Sequence, residues 1–362
     1  MVVTTGFLVE APELRSFVSA ILRTRGVPAR DAETVADCLV CANLSGFDSH
    51  GVVRLGHYVR RLENGTIKAR PRMRFEQVAA AAGTLDGDHG LGHVVTAAAA
   101  REATRMAREA GCATVSIRNS SHFGMTGYYV LGLVRQGLAA MLCTATDAFL
   151  VPHGGSRPFF GTNPLAIGFP TGDIPLLLDM ATTTVSWGKL ILAQKEGRKV
   201  PSEWGLDEQG RPCDDPSRIR GLHPIAGPKG SGLAMVIDIL SNLLAGMAFG
   251  PHVTGMYGEL DRPRGLGHFL VAWDIARFIP LARFIEGVDR MIRELHDLPP
   301  APGSVAVRYP GAIEGLRRRE RERDGIPLEA GVFRELEELG QRHGVAVTAR
   351  RAGAAGEPET PA

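Results

Sequence analysis

The sequence predicts an α/β fold opened by a helical region. Amphipathic segments run to Asn64, and from Ala113 onward short β-branched or apolar runs alternate with helical stretches. The 44 glycines and 23 prolines supply frequent turn signals between them. Strands alternating with helices argue for a layered α/β domain rather than a bundle or a sandwich.

In chain order, helices are expected over Ala11 to Thr24, Asp31 to Leu44 and Ser49 to Asn64. Gly65 and then Pro71 stop the third. A strand-like stretch lies near Phe75 to Leu85, and a long Ala-rich helix over Gly90 to Ala110 ends at Gly111. Ala113 to Ile117 reads as a strand, Asn119 to Gly124 as a polar turn, and Thr126 to Arg135 as a helix. Leu138 to Thr144, Leu165 to Phe169 and Pro175 to Met180 are short buried strands. Gly230 to Ala248 is a strongly apolar helix rich in small residues. His268 to Trp273 follows as a strand and Ile279 to His296 as a charged amphipathic helix. The linker Pro299 to Gly303 leads into a short strand, Ser304 to Arg308.

Bulk composition narrows the function classes. Lys and Arg total 41 against 39 Asp and Glu, so no net field favours nucleic acid or a membrane surface. The run Arg317 to Arg323 mixes both signs and reads as a solvated helix face. Five scattered cysteines form no disulfide framework, and Cys38 and Cys41 read as small buried helix residues. No metal site is expected: His89 and His93 enclose Gly-Leu-Gly, a poor helix for aiming two rings together. Lacking a signal-peptide pattern or an apolar run of spanning length, the chain is expected to be cytoplasmic.

Five polar clusters carry candidate chemistry. On a helix over Ser49 to Asn64, His50, Arg54 and Tyr58 fall at i, i+4 and i+8, forming one stripe. A guanidinium there can fork onto a carboxylate while an imidazole exchanges a proton with the neighbouring atom; a solvated face has the same spacing. Asn119 to Gly124, with His122, lies between a strand and a helix, where α/β sheets place sites and where N-caps also occur. Gly161-Thr162-Asn163-Pro164 is a tight turn. Asp179 to Thr184, followed by Trp187-Gly188-Lys189, suits a sugar-phosphate or is simply a hydroxyl-rich loop. Gly227 to Gly232 opens an apolar helix, a phosphate-binding device without Walker spacing. No Gly-x-Gly-x-x-Gly follows any strand, so a dinucleotide would not bind through the Rossmann fingerprint.

Taken in order, these clusters resemble the malate/L-lactate dehydrogenase family that lacks a Rossmann fold. The resemblance rests on Ser49-His-Gly-Val-Val-Arg54 with Tyr58, Asn119 to Gly124, Pro152-His-Gly-Gly155, Gly161 to Pro164, Asp179-Met-Ala-Thr182, Gly188-Lys189, Pro201 to Trp204, Asp215-Pro216, Lys229-Gly230 with Gly232-Leu233, and Pro310-Gly311. It implies a mixed sheet with helical N-terminal and inserted helical regions. Residues 1–75, joined by 309–348, would form a substrate and dimerisation region. Residues 76–308 would bind the cofactor, with a helical segment at about 216–265, and 349–362 would be a disordered tail.

The implied reaction is hydride transfer between NAD or NADP and the carbon next to a carboxylate. The substrate pair is a 2-hydroxy and 2-keto acid, or a cyclic amino and imino acid. His50 and His122 are the implied acid/base candidates and Arg54 the carboxylate clamp; Ser49, Tyr58 and Thr162 would line the substrate. His122, Thr126, Asp179, Met180, Ala181, Thr182, Lys189, Lys229, Gly230, Pro310 and Gly311 would contact the cofactor. A homodimer is implied as well.

Three departures from the family pattern stand out. Thr144-Ala145-Thr146-Asp147 replaces Thr-Asn, Gly230-Ser231 replaces Gly-Tyr, and Pro310-Gly311-Ala312 replaces Pro-Gly-Glu. An Asp147 facing the pocket would attract a protonated imine; a solvated loop carboxylate fits the same position. Ala145 and Ala312 favour the alternative, an inactive member that only binds nucleotide or carboxylate.

Overall fold

A computed structural model describes residues 6–351. In chain order its elements are β1 (Phe7–Val9), α1 (Ala11–Thr24), α2 (Ala29–Leu44), α3 (Leu55–Glu63), β2 (Arg74–Ala79), β3 (Ala82–Asp86), α4 (Gly92–Ala110), β4 (Cys112–Ser120), α5 (Thr126–Val134), β5 (Leu138–Thr144), β6 (Leu165–Phe169) and β7 (Leu176–Met180). Then come α6 (Trp187–Lys195), β8 (Gly205–Leu206), β9 (Gly221–Leu222), α7 (Pro228–Asp238), β10 (Leu266–Asp274), α8 (Leu281–His296), α9 (Ala312–Asp324), β11 (Ile326–Leu328), α10 (Ala330–His343) and β12 (Arg350–Arg351).

The chain divides into two compact units, Met1–Glu63 with Ile313–Ala362 and Asn64–Ala312. In the first, α1 packs against α2 and α10, burying Leu14, Phe17, Val18 and Ile21 of α1 at helical spacing. Strand β1 pairs antiparallel with both β11 and β12, and Phe7 stacks on Phe333 at 4.1 Å. Arg350–Arg351 is therefore ordered, against the tail expected from residue 349; the rest of that expectation, residues 352–362, lies outside the described residues.

In the second unit a seven-stranded sheet runs in the order β2-β3-β4-β10-β5-β6-β7. The β3–β4 pair is parallel, and every other neighbour pair is antiparallel. Helices α4 and α5 pack on β4, β10, β5 and β6. Ile237 and Leu233 of α7, with Leu240, bury Met141, Cys143, Phe269 and Val271, alternate positions of two adjacent strands. A separate cluster, Val185, Leu190, Ala193, Val200, Cys213, Ile219 and Leu222, holds the loops around α6.

Several expectations change. The strand at Phe75 to Leu85 is a hairpin, β2–β3, because residues 80–81 turn the chain. Helix α7 stops at Asp238 and passes into a π-helical turn, Ile239–Leu243, which lets Asn242 receive the Gly267 amide at 3.1 Å. The stretch expected to be helical at about 216–265 also contains β9 and a 3-10 turn, Gly250–His252. Ser304 to Arg308 forms no strand and joins no sheet among the described residues.

Candidate active site

In the first unit the expected single helix from Ser49 is broken. Asp48–His50 and Val52–Arg54 are two 3-10 turns, and the α-helix begins only at Leu55. Gly51 sits between them with extended backbone (φ −86°, ψ −150°). A Cβ at Gly51 would stand 2.1 Å from the Asn43 Oδ1 atom, so this position admits only glycine. Asn43 is buried; it accepts from the Val52 amide (2.9 Å) and donates to Asp48 (2.7 Å). Asp48 also receives two hydrogen bonds from Arg321, which donates to the Asn43 carbonyl as well.

This scaffold holds the candidate chemistry together. Arg54 Nε donates to the Ser49 carbonyl at 2.6 Å, and Ser49 Oγ lies 3.0 Å from His50 Nδ1. All three residues are half-buried. Loss of water and the neighbouring Arg54 guanidinium lower the His50 pKa to about 4, so the ring is neutral at pH 7. Tyr58 is fully buried beside His57, not one end of a solvated stripe.

In the second unit, β4 delivers Ser120 to a loop that turns His122 toward the start of α5. The loop is fixed from below: Ser121 Oγ accepts from the Gly92 amide (2.8 Å) and donates to the Gly90 carbonyl (3.0 Å). A Cβ on Gly92 would lie 2.1 Å from the Ser121 carbonyl. Phe123, next to His122, stacks edge-on against His268 at 4.5 Å. His268 is fully buried with Nδ1 2.7 Å from Thr144 Oγ1, and desolvation lowers its pKa to about 3.

The remaining expected residues of this unit fall into a second group. Thr162 receives both the amide and the hydroxyl of Thr182 on its carbonyl (2.8 and 3.0 Å). The Thr182 carbonyl accepts from Ile225, whose carbonyl accepts from Gly230, the residue after Lys229. Asp179 accepts the Gly127 amide at 2.7 Å, at the start of α5 beside the buried Thr126. Met180 and Ala181 connect these points. Pro310 accepts from Leu177 (3.0 Å), and Gly311, at φ 93°, lies against Pro175 and Leu177.

Lys189 and Lys229 are both exposed, and among the described residues neither makes an ion pair. Helix α7 begins at Pro228 with no side-chain cap. Two exposed cations, neither in an ion pair among the described residues, are donors that fit a dinucleotide pyrophosphate. Among the described residues no group of three or more His, Cys, Asp or Glu is gathered as a metal site requires, and no helix is long and apolar enough to cross a membrane.

Two expectations are corrected here. Asp147 does not present a vacant charge, because its oxygens take Arg264 (2.8 Å) and the Met256 amide (3.1 Å). The Arg317 to Arg323 run is not wholly solvated: Arg321 supports the Asp48 turn, and Arg318 reaches Cys41 Sγ at 3.3 Å. Sequence reasoning missed Asn43, Asp48, Arg321, Arg264 and His268, whose roles depend on partners far along the chain. The only local hint was Gly51 inside a presumed helix.

The sequence profile of the family described as malate/L-lactate dehydrogenase matches residues 9–337. Ureidoglycolate dehydrogenase (NAD(+)) of Escherichia coli O157:H7 is 35% identical over 324 residues, covering 89% of this chain and 93% of its own. The (2R)-3-sulfolactate dehydrogenase (NADP(+)) of Chromohalobacter salexigens is 33% identical over 332 residues, 91% of this chain and 97% of its own. Among solved structures, malate dehydrogenase from Pyrococcus horikoshii OT3 superposes with a TM-score of 0.87 at 33% identity, covering 95% of this chain and 97% of its own.

Proposed function

The chain belongs to the malate/L-lactate dehydrogenase family, and we propose that it moves a hydride between a nicotinamide and the carbon next to a carboxylate. It is an oxidoreductase using NAD or NADP. The substrate pair is a 2-hydroxy and 2-keto acid, or a cyclic amino and imino acid. The observation that carries this reading is the Ser49–His50–Arg54 cluster, a cation and an imidazole locked by hydrogen bonds of 2.6 and 3.0 Å.

Arg54 receives the carboxylate, a charge-assisted contact that orients the adjacent carbon. Ser49 and Tyr58 shape this side, and Thr162 is a further substrate-contacting residue. The bound nicotinamide supplies or accepts the hydride. In the oxidation direction a neutral His50 takes the hydroxyl proton; in reduction the protonated ring returns it to the developing alkoxide. A carboxylate on Arg54 offsets one of the two causes that lower the His50 pKa, so substrate binding readies the ring for protonation. His122 is the second candidate for the proton transfer.

For the cofactor, Lys189 and Lys229 hold the pyrophosphate, with Gly230 beside them. Thr126, Asp179 to Thr182, Pro310 and Gly311 contact the remainder beside His122. Met235, Val236, Ile239, Leu243 and Leu244 make an exposed apolar row along α7 and its π-turn, which a second copy would cover in a homodimer. The protein acts in the cytoplasm on a small carboxylate.

Oxidation of NADH and NADPH with pyruvate, oxaloacetate, sulfopyruvate and cyclic imino carboxylates tests the reading. Turnover abolished by His50→Ala or His122→Ala is expected. Tight cofactor binding without turnover on any of these would sink it.

A further inference from the structure

The guanidinium of Arg264 is almost wholly removed from water, with 1% of its side chain exposed. Nη2 donates to Asp147, while Nε and Nη1 have no hydrogen-bond partner among the described residues. Burying charged donors without acceptors is costly, and a fold that keeps them there commonly uses them. The sheet shows where they lie. Strand β10 pairs Leu266 with Ser120 of β4, so Arg264 and His122 each lie two residues beyond the same end of that pair. On the other flank β10 pairs His268 with Thr144 of β5, three residues before Asp147. Thr146, next to Asp147, accepts the amide of Thr162 at 3.0 Å. His122, Thr162, Asp147 and Arg264 thus share one end of the sheet in the second unit.

We propose that Arg264, held by Asp147, is a specificity residue that hydrogen-bonds a second oxyanion of the substrate, a carboxylate or sulfonate remote from the reacting carbon. The assignment rests on the hydride-transfer reading above. Asp147 offsets most of the arginine's charge, so the acid is gripped by directed N–H donors rather than by a net field. The two residues therefore act with opposite sign: Arg264 favours a diacid, and Asp147 restrains that preference. A cofactor pyrophosphate is the other oxyanion with the same chemistry, and the test separates the two.

Wild type, Arg264→Gln, Arg264→Lys and Asp147→Asn are compared by kcat/KM for oxaloacetate and pyruvate. Calorimetry measures malonate and acetate binding to the complex with reduced cofactor, and fluorescence gives the Kd of that cofactor. The oxaloacetate-to-pyruvate ratio is expected to fall about tenfold or more in Arg264→Gln, recover partly in Arg264→Lys and rise in Asp147→Asn. Equal losses on both keto acids would overturn the assignment, as would a weakened cofactor Kd at an unchanged ratio, which would give Arg264 to the pyrophosphate. If wild type reduces neither keto acid yet binds malonate over acetate through Arg264, the recognition stands and the reaction reading fails. No preference for malonate in wild type would refute the recognition.

Discussion

Asp48 and Arg321, 273 residues apart in the chain, are joined by two hydrogen bonds of 2.7 and 3.1 Å. The pair ties the turn bearing His50 to helix α9. Its strength is modest, because half of the Asp48 side chain is exposed. Its use is positional, since Asn43 receives Val52 and binds Asp48 within the same network. Arg321→Ala should therefore cost only about 1 kcal/mol of stability. Its kcat should fall more than KM changes, as a displaced imidazole requires. Thermal melts and steady-state kinetics on one preparation check this, and an unchanged kcat would refute it.

Gly51→Ala places a methyl group on Asn43 Oδ1 and forces the two 3-10 turns apart. A loss of about 1–3 kcal/mol is expected, with loss of turnover. Combining it with Asn43→Ala should recover part of the stability by making room, without recovering turnover. Chemical denaturation of both variants gives the comparison.

The His50 ring should be neutral above about pH 4. Removing Arg54 removes a positive neighbour that opposes protonation, so Arg54→Gln should move the His50 titration to higher pH. A saturating carboxylate ligand should move it in the same direction. Histidine proton resonances followed by NMR from pH 3 to 8 report both shifts; a downward move in either case would contradict the electrostatics.

His93 and His268 are both buried, with pKa values lowered to about 3 by desolvation. In the unfolded chain they protonate near pH 6.5. Their contribution is therefore complete above about pH 6.5 and is lost as pH falls toward 3, at roughly 1.4 kcal/mol per pH unit for each ring. Stability measured against pH should decline through this window, with a smaller slope in His268→Gln. An unaltered slope would remove His268 from the account.

Lys229 is exposed at the first turn of α7 and makes no ion pair among the described residues, so its replacement touches little of the fold. Lys229→Ala should weaken NADH or NADPH about tenfold and leave the melting temperature within about 1 °C. Cofactor fluorescence titration decides it, and unchanged affinity would move the pyrophosphate elsewhere.

Local pattern was enough to place α1, β5 and β6 at their observed limits, because burial periodicity and terminal Gly or Pro act within a few residues. The ordered motifs were likewise enough to indicate the family, and with it the reaction class. Tertiary structure decided what depends on partners distant in sequence. Residue 51 must be glycine because the Asn43 side chain fills the space a methyl group would need. Asp147, read from sequence as a pocket or solvated carboxylate, is an ion-paired acceptor because the chain entering β10 brings Arg264 alongside it. Arg321, one residue of a mixed-charge run, becomes a strut for the His50 turn through contacts across nearly the whole chain. A carboxylate's or guanidinium's role is set by what neutralises it, and only the folded chain brings that partner near.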